Sequence, residues 1–151
     1  MKQQQLAALR GAFKVTEGIP HPNWKVIRRW VEAQKGNGNA AEVWPSFVDH
    51  WLHRLKEVLG RRYRIYQSEY FHLLSAQSRD DAQALLDFMG MARTTILDVL
   101  AGAARDPPSG KYVVLALAST NAYYRYISLT LQVNSPAPQE SFSAAIAAIL
   151  P

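Results

Sequence analysis

The sequence predicts an α+β or α/β fold in which N-terminal helices precede a small β-α-β unit with a long crossover helix. Apolar residues repeat with helical spacing up to about residue 60 and then alternate, which is typical of strands. A long helical pattern over 78–104 then separates this region from a continuous apolar run at 113–118. A strand, a helix and a buried strand in this order form a β-α-β unit, which is right-handed by default.

The first predicted elements lie before residue 35. A short helix is predicted from Gln3 to Phe13, and the glycine and the two prolines of 18–22 are expected to interrupt regular structure. Asn23 can cap a second helix, because its side-chain oxygen can accept a free backbone N–H of the first turn. The apolar side of that helix is formed by Trp24, Ile27, Trp30 and Val31.

A third helix is predicted to open at Pro45 and Ser46, where Ser46 and Asp49 form a start similar to a capping box. Gly60 stands where a left-handed residue ends many helices. The core-facing residues between these points repeat with helical spacing: Val48, Trp51, Leu52, Leu55, Val58 and Leu59.

The remaining elements form the predicted β-α-β unit. The alternating pattern of 63–74 predicts one bent strand or two short strands. Ser78 and Asp81 start the long helix, and the run 113–118 predicts a strand covered on both faces, as in a parallel sheet. Asn121 can cap a last helix, whose aromatic and apolar residues are Tyr123, Tyr124, Tyr126 and Ile127.

Composition and charge limit the classes of function. The chain has 151 residues and no cysteine, which excludes thiol catalysis, cysteine-based zinc sites and iron–sulfur clusters. Residues 1–65 carry 12 Lys and Arg against 5 Asp and Glu, and 66–151 carry 5 against 7, so the net charge of +5 divides into +7 and −2. A basic half is compatible with nucleic acid, although a solvated surface explains it more simply. No apolar stretch is long enough to span a membrane, so a cytoplasmic chain without membrane contact is expected.

Three segments are predicted along the chain. An N-terminal helical segment occupies 1–43, a β-α-β core domain occupies 44–128, and a flexible tail occupies 129–151. Glu140 is the only charged residue of the tail, which places the boundary where the composition changes.

No complete catalytic motif is found, so no catalytic residue and no cofactor are predicted. The Walker loop, the Gly-x-Gly-x-x-Gly loop and the His-Glu-x-x-His zinc helix do not occur. His50 and His53 are weak candidates for a metal site, because two imidazoles one helical turn apart can reach one ion. Two histidines on an exposed helix face are the simpler explanation.

Two groups of residues are candidates for binding an anion. The first is a set of basic side chains that could merge into one surface contacting nucleic acid: Lys25, Arg28, Arg29, Arg54, Lys56, Arg61, Arg62 and Arg64. The tryptophans near them are expected to lie in the core rather than to stack on bases. The second group, Ser119, Thr120 and Asn121, follows the apolar strand and opens a helix, at the edge where open α/β sheets bind ligands. A turn with a helix cap is the simpler explanation of this group.

Five phrases of the sequence occur in a distinctive order. They are WLHRLKEVLG at 51–60, YRIYQSEYF at 63–71, ILDVL at 96–100, ARD at 104–106 followed by GK at 110–111, and YYRYIS at 123–128. In this order they resemble the region upstream of the active site in uncharacterised bacterial zincin-like metallopeptidases, and the resemblance spans 44–128. It implies an incomplete zincin-like scaffold.

The zinc helix of that family, with its His-Glu-x-x-His motif, follows the region that these phrases resemble. The present chain has no such motif after Ser128, so no zinc ligand or catalytic glutamate is carried over to any of its residues. We therefore expect a non-catalytic relative, either truncated or frame-shifted after about Leu129, or one that has lost catalysis and remains a binding or accessory domain. A protein partner or self-association is expected. The alternative is a basic nucleic-acid-binding module.

Overall fold

The computed structural model describes residues 11–34, 40–106 and 110–134. In chain order the elements are β1 (Phe13–Thr16), β2 (Ile19–Pro22), α1 (Trp24–Gln34), α2 (Ala40–Leu59), β3 (Arg64–Gln67), β4 (Phe71–Ser75), α3 (Arg79–Val99), β5 (Tyr112–Ala116) and α4 (Thr120–Asn134). Strands β1 and β2 form one sheet, and β3, β4 and β5 form a second sheet in that order. The fold is therefore α+β, as predicted.

The first sheet is a β-hairpin, and the predictions of a helix reaching Phe13 and of a break after it are wrong. Thr16 pairs with Ile19 across a two-residue turn. The turn residues Glu17 and Gly18 have φ values of 50° and 81°, which is the geometry of the tightest hairpin turns. Residues 11 and 12 are not helical either, and 3–10 lie outside the described residues.

The register of the hairpin explains why β2 can contain two prolines. Pro20 lies opposite Val15, and Pro22 lies opposite Phe13. Counted from the two-residue turn, these are the pairs whose backbone N–H groups point away from the partner strand. A residue without an N–H therefore removes no hydrogen bond from the hairpin.

Helix α1 begins where the sequence predicts. The backbone carbonyl of Asn23 accepts a hydrogen bond from the N–H of Ile27 at 3.0 Å. Ile27 is buried, and Trp24, Trp30 and Val31 pack against the same core. The tryptophans are therefore core residues, as expected.

Helix α2 begins earlier than predicted. It starts at Ala40, so Pro45 lies inside the helix, and Ser46 and Asp49 do not form its N-terminal cap. The missing N–H of Pro45 costs one intrahelical hydrogen bond. The residues after the proline are held by packing, because Phe47, Val48 and Trp51 are buried in the core.

The rest of α2 follows the predicted pattern apart from Val58. That side chain is 47% exposed because it lies at the border of the apolar stripe. Gly60 follows the helix with a φ of 103°, which confirms the left-handed residue expected there. The other predicted core residues are buried or pack against the core: Val48, Trp51, Leu52, Leu55 and Leu59.

The second sheet combines antiparallel and parallel pairing. Arg64 of β3 lies opposite Ser75 of β4, so the alternating region forms two short antiparallel strands. Leu73 of β4 lies opposite Val114 of β5 in a parallel pair, with α3 as the crossover between them. The predicted β-α-β connection is confirmed.

Both faces of this sheet are buried. Successive residues of a strand point to opposite faces, so each strand contributes side chains to two separate clusters. On one face Leu74, Val113 and Leu115 pack with the hairpin, α1, α2 and α4 in what we call the first cluster. On the other face lies the second cluster, in which α3 covers the strands: Phe71, Leu73, Ala82, Leu86, Val114 and Ala116. The expectation that the 113–118 run is covered on both faces is therefore confirmed.

The two later helices have serine caps. The Ser78 hydroxyl accepts a hydrogen bond from the Asp81 N–H at 3.2 Å, as predicted. At α4 the cap is Ser119 rather than Asn121, since the N–H of Ala122 donates to the Ser119 hydroxyl at 3.2 Å. The strand ends earlier than its apolar run, so the helix starts earlier as well.

Helix α3 ends at Val99, five residues before the predicted end. Ala101 and Gly102 have φ values of 36° and 90°, and two successive left-handed residues cannot continue an α-helix. The predicted helix was too long because apolar residues beyond Val99 continue the helical spacing although the backbone is no longer helical there.

The predicted segment boundaries at 43 and 128 fall inside helices α2 and α4. Leu129, just beyond the second boundary, is buried in the first cluster. The segments 1–43 and 44–128 share that cluster, to which Ile27 and Leu52 both belong. Residues 135–151 lie outside the described residues.

His21 is a buried polar residue of the hairpin, 0% exposed. Its Nδ1 lies 3.0 Å from the Thr130 hydroxyl oxygen, and that hydroxyl donates to the backbone carbonyl of Tyr126 at 2.8 Å. The Thr130 hydroxyl therefore links the His21 imidazole to the backbone of α4. Within the described residues Nε2 has no hydrogen-bond partner. Burial lowers the pKa of His21 below its usual value of 6.5.

We predict that the free energy of unfolding falls as the pH drops below 6.5, where the unfolded chain binds a proton that the folded chain excludes. The loss has a limit of about 1.4 kcal/mol per pH unit for each such histidine. His72 contributes too, because burial and then Lys111 lower its pKa against the opposing effect of Asp49. Urea titrations at pH 7.5 and 5.5 should show a smaller difference for His21→Asn than for the exposed control His53→Asn. Equal differences in both variants would disprove the role of His21.

The first cluster provides a matched test of the core. Leu55 is fully buried, whereas Leu131 is 63% exposed. Leu55→Ala should therefore lower the free energy of unfolding by about 2–5 kcal/mol. We expect Leu131→Ala to change it by less than about 1 kcal/mol. Chemical denaturation of both variants would measure the difference, and similar losses would contradict the described packing.

Candidate functional site

Three connecting segments meet at the carboxyl edge of the second sheet, which is the edge where the parallel strands β4 and β5 end. Strands β4 and β5 run parallel and end there at Ser75 and Ala116. Strand β3 runs the opposite way and begins there at Arg64. The edge therefore gathers the residues just before β3, those between β4 and α3, and those between β5 and α4, all at the position where open sheets bind ligands.

A hydrogen bond to the Tyr63 hydroxyl holds two of these connections together. The Tyr63 side chain is 4% exposed, and its hydroxyl accepts a hydrogen bond from the N–H of Ala118 at 2.9 Å. Residues 61–64 are thereby fixed beside the turn that carries Ser119. The structure thus brings together two groups that the sequence analysis identified separately: the arginines before β3 and the serine and threonine after β5.

Two helices also begin at this edge. The first turn of each helix leaves backbone N–H groups that its own helix does not bond, and these groups favour an anion. At α3 the carboxylates of Asp80 and Asp81 lie in the first turn and offset this field. Helix α4 has no acidic residue in its first turn. The start of α4 is therefore the more favourable position for a negative charge.

The charged side chains at this edge are mostly arginines. Arg61, Arg62 and Arg64 are exposed, and Arg79, the first residue of α3, is exposed as well. The sequence analysis missed Arg79. It directly follows a serine cap after a strand, and that position could have identified it as an edge residue.

The basic residues of α1 attach to a different part of the molecule. The ring of Trp24, next to Lys25, lies 6.1 Å from that of Trp51 in the middle of α2. Arg61 and Arg62 follow the far end of α2, roughly 15 Å further along the helix axis. Arg54 instead lies over the Phe13 ring, 5.1 Å from its centroid.

Within the described residues, His50 and His53 are not grouped with a third side chain that could hold a metal ion with them. His53 Nδ1 lies 2.8 Å from the backbone carbonyl of Asp49, one turn earlier. The His50 ring lies 5.9 Å from the Phe13 ring. Among residues 11–34, 40–106 and 110–134, no three His, Asp or Glu side chains are grouped so that they could hold a metal ion.

The tyrosines of α4 have separate environments. Tyr126 is buried against the His21 ring, 5.1 Å away, and burial raises its pKa above the ordinary value. Tyr124 is 63% exposed and lies one turn from the start of the helix. Arg125 donates to a carboxylate oxygen of Glu17 at 3.1 Å. Tyr124 is thus an exposed aromatic ring close to the carboxyl edge.

A second polar cluster fastens the opposite, amino edge of the sheet. Arg93 of α3 donates through two nitrogens to the Asp106 carboxylate, and its guanidinium lies 3.6 Å from the centre of the Tyr70 ring. The Tyr112 hydroxyl donates to the same carboxylate at 3.3 Å. The hydrogen bond from Arg93 lowers the pKa of Asp106. These contacts tie α3 to the residues where β4 and β5 begin.

No protein-family model matches this chain, and neither a curated protein nor a solved structure matches it. None of the helices within the described residues is both long and apolar enough to cross a membrane.

We predict that Tyr63→Phe loosens the carboxyl edge. The Ala118 N–H loses its acceptor, which should lower the free energy of unfolding by about 0.5–1.5 kcal/mol. Amide chemical shifts of Ala118, Ser119 and Thr120 should change more than those of the amino edge. The exposed Tyr124→Phe serves as the control and should leave stability unchanged, and equal effects of the two variants would remove the structural role of the Tyr63 hydroxyl.

Proposed function

We propose that this chain is a non-catalytic binding domain and that its ligand site is the carboxyl edge of the second sheet. The observation that carries the proposal is the hydrogen bond from Ala118 to Tyr63, which holds the segment of Arg61 and Arg62 beside the turn before α4. Guanidinium groups and free helix N–H groups both bind oxygen anions, and phosphate is the anion that this combination suits best.

Single-stranded nucleic acid is the proposed ligand. Its phosphates can contact Arg61, Arg62 and the first turn of α4, and one base can stack on Tyr124. Stacking on one exposed ring contributes about 1–3 kcal/mol per base without reading the sequence. We therefore expect binding that depends strongly on salt and weakly on the nucleotide sequence.

The test compares two variants with equal loss of charge. Arg61→Gln with Arg62→Gln removes two arginines at the edge, and Arg28→Gln with Arg29→Gln removes two on α1. The probe is a labelled 12-nucleotide single strand, about the length of one binding site of this kind. Fluorescence anisotropy over a range of NaCl concentrations should show roughly tenfold weaker binding for the edge variant, with a salt slope reduced by about 1.4.

The control pair should change both quantities much less. Equal losses in the two pairs would show diffuse attraction to a basic surface, and the proposal would then fail. Tyr124→Leu separates stacking from charge, because it should weaken binding while leaving the salt slope unchanged. Undetectable binding at low salt would also reject the proposal.

We further propose that the domain is a non-catalytic relative of zincin-like metallopeptidases that serves as a binding or accessory domain. Its support is the order of the sequence phrases between 51 and 128. Related chains in which these phrases precede a His-Glu-x-x-His helix would support this relation. Chains that contain the phrases in unrelated surroundings would argue against it.

A further inference from the structure

Helix α3 has an apolar face that no described residue covers. We call Phe88, Met91, Thr95, Ile96 and Val99 the α3 stripe. Its four large apolar side chains are between 55% and 76% exposed. They are a large share of the exposed large apolar residues in the described part of the chain, and they lie within 12 residues of one helix.

The stripe is exposed because of where α3 crosses the sheet. The first half of the helix buries Ala82 and Leu86 against the strands. Arg93 then lies over Tyr70, directly before β4 begins. The helix therefore continues past the amino edge of the sheet after Arg93, and Ile96 and Val99 have no strand beneath them.

The stripe is a continuous surface suited to a second helix. Its residues follow the i, i+3, i+7, i+8, i+11 spacing of one helix side and extend about 17 Å along the axis. Thr95 does not interrupt it, because its hydroxyl donates to the backbone carbonyl of Met91 at 3.1 Å. Only its methyl group remains to contact a partner.

One border of the stripe is acidic. Asp80, Asp87 and Asp98 are exposed and follow one another at intervals of seven and eleven residues, which places all three on the same side of the helix. Arg93, the basic residue in the middle of α3, is already paired with Asp106. A partner that contacts the stripe therefore meets apolar side chains with a row of carboxylates beside them.

We propose that the α3 stripe binds an amphipathic helix of a partner protein that has a Leu- or Ile-rich face bordered by Lys or Arg. The basic border of such a helix complements the aspartates, as charges beside the seam of a coiled coil do. This surface is distinct from the carboxyl edge, and the inference is independent of the ligand proposed for that edge.

The charges also decide against other occupants. A second copy in antiparallel contact would place Asp87 and Asp98 of both copies on the same side, where like charges repel. An interfacial membrane helix needs basic residues beside its apolar face, and anionic lipids would be repelled by aspartates.

The test uses the full chain and three labelled 21-residue peptides. One has a leucine face bordered by lysines, the second has glutamates in place of the lysines, and the third is a scrambled form of the first. Fluorescence anisotropy should show binding of the lysine peptide and at least about tenfold weaker binding of the glutamate and scrambled peptides.

Two variants locate and invert this preference. Met91→Ser with Val99→Ser should weaken binding of the lysine peptide by at least about tenfold, since these are the two most exposed apolar side chains of the stripe. Asp87→Lys with Asp98→Lys keeps the apolar side chains and should prefer the glutamate peptide. All positions are exposed, and far-UV circular dichroism would confirm that the variants fold.

Several results would overturn the proposal. Equal binding of the lysine and glutamate peptides, or an unchanged preference in the aspartate variant, would remove the role of the acidic border. Self-association that Met91→Ser with Val99→Ser abolishes would assign the stripe to a second copy. Tighter peptide binding after Phe142→Asp with Ile146→Asp would assign it to residues 141–150 of this chain. Binding to phosphatidylserine vesicles that depends on Met91 and Val99 would assign it to a membrane.

Discussion

The parallel pairing of β4 with β5 is the constraint on which the rest of the molecule depends. Both strands have apolar side chains on both faces, so neither face can meet water. A parallel pair also needs a crossover, and α3 supplies it while covering one face. The other face requires the hairpin and three helices, which come from sequence positions on both sides of the β-α-β unit.

Sequence patterns predict the helices and strands of this fold better than they predict which of these elements contact each other. The helix start after Asn23, the cap at Ser78, the left-handed Gly60 and the buried strand after α3 follow from local chemistry, and all were predictable. The hairpin was missed because two prolines normally argue against a strand. They are tolerated here only because the register directs the missing N–H groups away from the partner strand. That register is a property of two strands together and is not visible in either one.

The residues of the candidate site were likewise predictable from the sequence, whereas their proximity in space was not. Arg61, Arg62, Arg64, Ser119 and Thr120 were identified by residue type and by position in the pattern. Their proximity depends on the antiparallel direction of β3 and on the Tyr63 hydroxyl, neither of which a local pattern specifies. The two ends of the sheet also differ in electrostatic character. At the carboxyl edge, no described ion pair involves an arginine. At the amino edge, Arg93 forms a bidentate pair with Asp106, and this edge continues into the acidic border of α3.

The contact between His21 and Thr130 has a consequence for how the chain acquires its structure. These residues are 109 positions apart, so the hairpin cannot bury His21 until almost the whole described chain exists. At a synthesis rate of about 5–20 residues per second, the hairpin emerges from the ribosome roughly 5–20 seconds before its partner helix. During this interval the side of the hairpin that contacts α4 has no cover, and long-range contacts of this kind slow folding generally. The hairpin therefore completes its packing late in synthesis, and until then this side stays accessible to chaperones and to premature association.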